Sequence, residues 1–168
     1  LSLAVGLSLA ESLHPDIRLK WPNDLWWQER KLGGILIEAA SMGGRSQVVI
    51  GMGINIRPRP ADGLNTPPAA LTEAWPEATA PAALARVVLP LVKMLQDFER
   101  QGFAPLQQRF EARDVLLGRQ VTTSDGLQGL CLGVSAAGAL RLADEQGTRD
   151  IHSSEVSVRP LKQDKDGC

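Results

Sequence analysis

Residues 48–56, VVIGMGINI, alternate without interruption. Val48, Ile50, Met52, Ile54 and Ile56 fall on one side, and Val49, Gly51, Gly53 and Asn55 on the other, which is the period of an extended strand. One face therefore needs an apolar partner. The other carries two glycines, which weaken a strand and mark either a close approach of a ligand or backbone, or a bulge. Asn55 offers one donor and one acceptor group, the pairing that an adenine edge or a ribose needs, and it could equally cap the strand end.

The flanking sequence supplies more elements. Residues 1–13 read as a helix stopped at Pro15, and 17–21 as a short strand cut off by Pro22. Residues 25–28 and 32–40 read as a hairpin across Glu29-Arg30, and 41–47 as a loop. The stretch 57–81 is rich in Pro, Ala and Thr and shows little periodicity, as expected of a lid or binding loop. Leu84, Val87, Val88, Leu91, Val92, Leu95 and Phe98 then recur at the helical period within 82–102, with a kink expected at Pro90. Pro105 to Arg113 reads as one more short helix. From Val115 the chain turns β-rich, punctuated by Asp125-Gly126, Ala137-Gly138 and Gln146-Gly147, which predicts a small barrel or sandwich of about five strands. The organisation expected is an α+β body over 1–113, a small all-β unit over 114–160 and a frayed tail over 161–168.

Composition narrows the function. The 168 residues carry a formal net charge of −1 with no basic run, which argues against a surface built on nucleic-acid phosphates. Apolar stretches are broken well short of the ~20 residues of a membrane span. Cys131 and Cys168 are too few for a disulfide framework and share no metal-ligand spacing with His14 or His152, so a reducing cytoplasm is expected. The chain opens at Leu1 with helix-like sequence and no basic leader, which predicts that it is the later part of a longer protein.

Against that background, LKWPNDLWWQERKLGGILIEAA (19–40) is unusual. Lys20 and Lys31 flank strand-like runs, where lysine is ordinarily solvated. Asn23 and Asp24 follow Pro22 and suit an Asx turn, although a carboxylate there could also serve a metal–phosphate complex. Glu38 reads as a solvated strand-end carboxylate.

The order of these segments is more specific than any one of them. KWPND, then Lys31 seven positions after Asp24 within KLGGILIE, then GMGIN closely resembles the central catalytic region of the bacterial biotin–protein ligases. That family reads KWPND, K-L-x-G-I-L-x-E and G-x-G-x-N in the same order. The resemblance continues through the helix 82–102 and GRQV (118–121), and it extends over essentially the whole chain.

The resemblance implies a mixed sheet with helices in the biotin/lipoate ligase (class II synthetase-like) catalytic fold, N-terminally truncated, followed by an SH3-like barrel. It implies ATP-dependent joining of biotin to a lysine of a carrier domain, such as that of acetyl-CoA carboxylase, through biotinyl-5′-adenylate, with ATP, biotin and Mg²⁺ as ligands. Lys31 matches the catalytic lysine that bridges the biotin carboxyl and the α-phosphate. Gly34, Leu36 and Gly51 match the biotin side. Lys20, Asn23, Asp24, Gly53 and Asn55 match the nucleotide side, with Asp24 also the metal position. Strict alternation would put Lys31 and Gly34 on opposite faces, so a strand kink at Gly33-Gly34 is expected or one of the two roles is wrong.

The family's G-R-G-R loop and the Ser/Thr-rich biotin contacts before it have no counterpart in these 168 residues. Neither does the winged-helix DNA-binding domain of some members. The chain alone is accordingly expected to be inactive, with no membrane or nucleic-acid partner, and exposed strand edges suit a homodimer. Two rivals remain: a lipoate– or octanoyl–protein transferase of the same fold, and a non-catalytic remnant acting as a binding or dimerisation module.

Overall fold

In the computed structural model the described residues are 1–42, 45–60, 68–152 and 158–161. Helix α1 (Ser2–Leu13) is buried along nearly its whole length and leads into a four-stranded antiparallel sheet. Its strands are β1 (Arg18–Lys20), β2 (Asp24–Trp27), β3 (Arg30–Met42) and β4 (Arg45–Ile54), in chain order across the sheet. The Trp21–Pro22 peptide is cis.

One face of this sheet is packed. Gly6 of α1 sits where an added Cβ would press on Ile35 and Leu19 at 3.3 Å, so the helix backbone approaches the strands closely. The apolar side of β4 is only partly covered: Ile50, Ile54 and the following Ile56 pack against the core, Ile54 and Ile56 beside Leu9 of α1 and Ala83 and Val87 of α3 (Ala80–Gln101), while Val48 and Met52 stay exposed. Thr79 caps α3, its hydroxyl accepting from the Ala82 N–H, and Gly102 ends it at φ 68°. Pro90 lies inside α3. Only Ala83, Val87, Leu91 and Met94 of this helix are buried. Leu84, Val88, Leu89 and Val92 stay exposed, because the apolar stripe is wider than the surface its described neighbours cover.

Three local expectations change. The hairpin turns at Gln28-Glu29, one residue earlier than read, with both residues at positive φ. The loop expected over 41–47 is mostly ladder, with Ser41 opposite Ser46 and Met42 opposite Arg45; residues 43 and 44 lie outside the described residues. The stretch 57–81, of which 61–67 lie outside the described residues, contains a four-residue helix α2 (Leu71–Ala74) and starts α3 at Ala80. A single turn is too short to show a period.

A 3₁₀ turn (Ala104–Leu106) and α4 (Gln107–Glu111) lead to a second antiparallel sheet: β5 (Gln120–Thr123), β6 (Gln128–Val134), β7 (Leu140–Asp144), β8 (Gly147–Ile151) and β9 (Val158–Pro160), ordered β8-β7-β6-β5-β9. Gly126, Gly138 and Gly147 take the positive φ that the turn signals anticipate. The tail residues 162–168 lie outside the described residues.

Strand β1 is tied by backbone to the segment that leads into the second sheet. Leu19 N–H donates to the Arg113 carbonyl and Val115 N–H to the Leu19 carbonyl, both at 2.9 Å. Trp21, fully buried, donates its indole N–H to the Gly138 carbonyl, and Arg119 forms a two-pronged pair with Glu29 in the β2–β3 turn.

Candidate functional site

The geometry at Lys31 follows from one extra residue. Asp24 pairs with Gly34 and Leu25 with Gly33, yet Trp26 pairs with Lys31, so Leu32 has no counterpart on β2 and forms a β-bulge. Inserting one residue resets the alternation. Lys31 and Gly34, three apart in sequence, thereby come to the same face. A Cβ at Gly34 would lie 3.5 Å from both the Lys31 Nζ and the Asp24 Oδ1. The irregularity falls at Leu32, one position before the kink expected at Gly33-Gly34, and Leu32 itself is driven into the core.

The Lys31 ammonium meets the Asp24 carboxylate at 2.6 Å; the lysine side chain is 53% exposed and the aspartate 16%. The pair fixes the ammonium over Gly34 while leaving it accessible. Next to Gly34 across the ladder stands Gly53, where a Cβ would meet nothing closer than the Gly34 carbonyl oxygen at 3.9 Å. The sheet face is bare there. Leu36 and Gly51 pair with each other two residues further along the same face, with Leu36 62% exposed.

Asn55 closes the other side. Its backbone N–H donates to the Leu32 carbonyl, and its side-chain amide donates to the Ala69 carbonyl at 3.1 Å, with the Lys31 carbonyl at 3.5 Å. The Ala69 N–H in turn donates to the Lys31 carbonyl. This orientation leaves the Asn55 Oδ1 as an acceptor. Lys31, Gly34, Gly53, Asn55, Arg59 and Pro68 line a cavity of about 610 Å³, within the size range of small-molecule sites.

Lys20, Asn23, Asp24, Leu36 and Gly51 do not line that cavity. Lys20 stands over the Trp26 ring at 5.2 Å. Burial holds its ammonium below the usual lysine range, the Asp24 charge opposes that shift, and the Lys31 charge adds to it. Asn23 clamps β3: its amide donates to the Ile35 carbonyl, and its own carbonyl accepts from the Ile35 N–H, both at 2.9 Å. That bond reaches twelve residues along the chain, unlike the local Asx turn weighed for it. Glu38 is exposed, as expected. Among the described residues no three His, Cys, Asp or Glu side chains gather as a metal cage.

Comparison with known proteins gives this geometry a family. A model described as the biotin/lipoate A/B protein ligase family matches residues 4–55. The biotin–[acetyl-CoA-carboxylase] ligase of Paracoccus denitrificans is 30% identical over 165 residues, covering 93% of this chain and 69% of that protein. The chain belongs to the biotin–protein ligase family. Another member, the bifunctional ligase/repressor BirA of Escherichia coli K12, is 34% identical over 169 residues, covering 95% of this chain and 53% of BirA. The chain thus spans about half the length of that relative. The solved biotin protein ligase of Aquifex aeolicus in complex with biotin and ATP superposes with a TM-score of 0.82 at 26% identity, over 95% of this chain and 71% of that one.

Several residues of the site escaped the sequence reading. Gly33 has no room for a Cβ, which would run into the Gly53 carbonyl oxygen. The Gly-Gly pair was the available signal. Arg59 and Pro68 reach the cavity from a stretch without periodicity. Arg30 pairs with Glu73, whose carboxylate also accepts from the Ala70 N–H at 2.9 Å, so α2 is fastened to the start of β3. Hydrogen bonding to Arg30 holds the Glu73 carboxyl below the usual range.

Proposed function

We propose that the protein joins biotin to a lysine of a biotin carrier domain, such as that of acetyl-CoA carboxylase, through biotinyl-5′-adenylate. In the first step a biotin carboxylate oxygen bonds to the α-phosphorus of ATP, and the bond to the β-phosphate oxygen breaks to release pyrophosphate. In the second, the carrier amine attacks the acyl carbon, forming the amide and releasing AMP and a proton. The observation that carries this reading is the Lys31 ammonium, held by Asp24 over Gly34 on the wall of the cavity that Gly53 and Asn55 share.

Two anions brought to ~4 Å repel by about 4 kcal/mol at an effective dielectric of ~20. A cation fixed at their meeting point offsets that repulsion and needs no reorganisation as the bond forms. Lys31 is assigned this catalytic role and contacts the biotin carboxyl; Gly34, Leu36 and Gly51 offer biotin a bare and apolar strip. Gly53 and Asn55 are assigned to the nucleotide, the Asn55 Oδ1 accepting from an adenine or ribose donor. Lys20, Asn23 and Asp24 border its phosphates. Mg²⁺ is taken to travel with ATP. Asp24 lends one carboxylate oxygen, which suits an ion that keeps most of its coordination for water and phosphate.

In the same reading, residues 1–113 belong to the catalytic unit, and 114–160 form an SH3-like barrel beside it. No nucleic-acid role is assigned to a chain of net charge −1. Among the described residues no helix is long and apolar enough to cross a membrane, and a cytoplasmic enzyme is the setting proposed. Pairing of two copies is assigned to the edge of β4, which among the described residues pairs with no strand other than β3, to be read from sedimentation.

The test is pyrophosphate release from ATP and biotin by the complete protein. Lys31→Ala should lower it by ~10³-fold, the equivalent of about 4 kcal/mol of barrier. A near-normal rate would remove Lys31 from the role. Because the matching family model also names lipoate ligases, biotin and lipoate should be titrated side by side, and preference for lipoate would redirect the reading.

A further inference from the structure

Lys31 supplies a local cation where the reacting anions meet, but little net charge to the cavity as a whole. With Asp24 bound at 2.6 Å, that pair is neutral as a unit. Arg30 is likewise matched by Glu73. Arg59 also lines the cavity, and among the described residues it has neither a hydrogen-bond acceptor nor an acidic partner. Among the residues that line the cavity, Arg59 is thus the cation left unmatched within the described residues. Its backbone is also constrained, because the sequence around it is Arg57-Pro58-Arg59-Pro60. Each proline fixes its own φ and pushes the residue before it into extended conformations, so little backbone entropy remains to be lost when a ligand engages the segment.

We propose that Arg59 grips the β- and γ-phosphates of ATP and the pyrophosphate they become, as a positioning residue for the nucleotide. This rests on the adenylate-forming reading above. Lys31 is matched by Asp24 and committed to the reacting carboxylate, whereas a guanidinium with no acidic partner among the described residues offers two parallel donors to phosphate oxygens. The β- and γ-phosphates are the most negative part of the nucleotide. Lys31 and Asn55 already serve the reacting carboxylate and the adenosine end.

Two measurements on the complete protein decide it. In calorimetric titration with inorganic pyrophosphate, Arg59→Ala should bind about 10–100-fold more weakly than wild type, the range of a hydrogen bond between charged groups. Arg59→Lys, which keeps the charge but not the fork, should fall between. In turnover, Arg59→Ala should raise KM for ATP by a similar factor and leave KM for biotin and the affinity for biotinyl-5′-adenylate unchanged, since that intermediate lacks both phosphates. Unaltered pyrophosphate binding overturns the assignment. So does an equal loss for ATP and for the adenylate, which would put Arg59 at the adenosine end. A wild type that binds pyrophosphate through Arg59 but forms no adenylate would retain this anion site and refute the ligase activity instead.

Discussion

Gly33 and Gly53 are diagonal neighbours on the β3–β4 ladder, Gly33 pairing with Ile54 and Gly53 with Gly34, and they are constrained in opposite ways. A methyl group at Gly33 would collide with the Gly53 carbonyl, a backbone atom that moves only with the strand. At Gly53 it would enter open space above the sheet. Gly33→Ala should therefore cost about 2–4 kcal/mol in denaturant unfolding, at the upper end of overpacking. Gly53→Ala should leave the unfolding midpoint nearly unmoved while weakening nucleotide binding severalfold, since the methyl protrudes into the cavity. A destabilised Gly53→Ala would show that this glycine serves the strand and not the ligand. The motif marks both glycines, but only the placement of the facing carbonyl separates their tasks.

At the scale of the element, the bulge at Leu32 decides where Lys31 points. Without it, Lys31 and Gly34 would lie on opposite faces, and the ammonium would be turned away from Gly53 and Asn55. Deleting Leu32 removes the surplus residue and leaves Lys31 two positions from Gly34, so the two should keep a common face through ordinary alternation. The expected cost is the loss of a fully buried side chain, about 2–5 kcal/mol in denaturant unfolding, with adenylation retained by the protein that folds. A folded deletion variant that forms no adenylate would show that the bulge sets more than the face of Lys31. Bulges are poorly legible in sequence, because one surplus residue leaves the alternation of its neighbours intact on either side. The period of β4, the stripe of α3 and the turn glycines of the second sheet were legible, because each repeats over several residues. Helix α2 was not, and the hairpin turn was read one residue late.

For the whole molecule, the joint between the sheets carries a titratable group. Asp114 forms an isolated parallel bridge with Leu19, and its Oδ1 accepts from the Leu116 N–H at 2.9 Å, while its Oδ2 is sealed from solvent without a partner. Burial raises its pKa from 3.8 to about 6, the Leu116 hydrogen bond opposes the rise, and the Glu111 charge adds to it. The folded state thus binds a proton more tightly than the unfolded chain. The stabilisation from this group is complete below pH 4 and is lost as pH rises through about 6. Asp114→Asn keeps an acceptor for Leu116 and cannot ionise. It should be more stable than wild type at pH 7–8 by as much as about 3 kcal/mol, with the gap closing toward pH 4. Parallel stability curves for the two proteins would show that Asp114 titrates alike in the folded and the unfolded chain. Cys131, on β6, is buried and has its thiol pushed up to about 11, so it stays protonated throughout this window.

What the sequence alone determined is everything carried by local repetition or by an ordered motif: the strand at 48–56, the long helix, the β-rich end, and the KWPND, KLGGILIE and GMGIN segments that mark the family. These depend on side-chain period and residue type, which neighbours along the chain already specify. Only the tertiary structure decided that Lys31 shares a face with Gly34, that Asp24 pairs with it, that Arg59 lines the cavity, and that Asp114 is buried beside Leu19. Each of those depends on which backbone or side chain arrives from a distant part of the chain, and on a single unpaired residue that shifts a register by one.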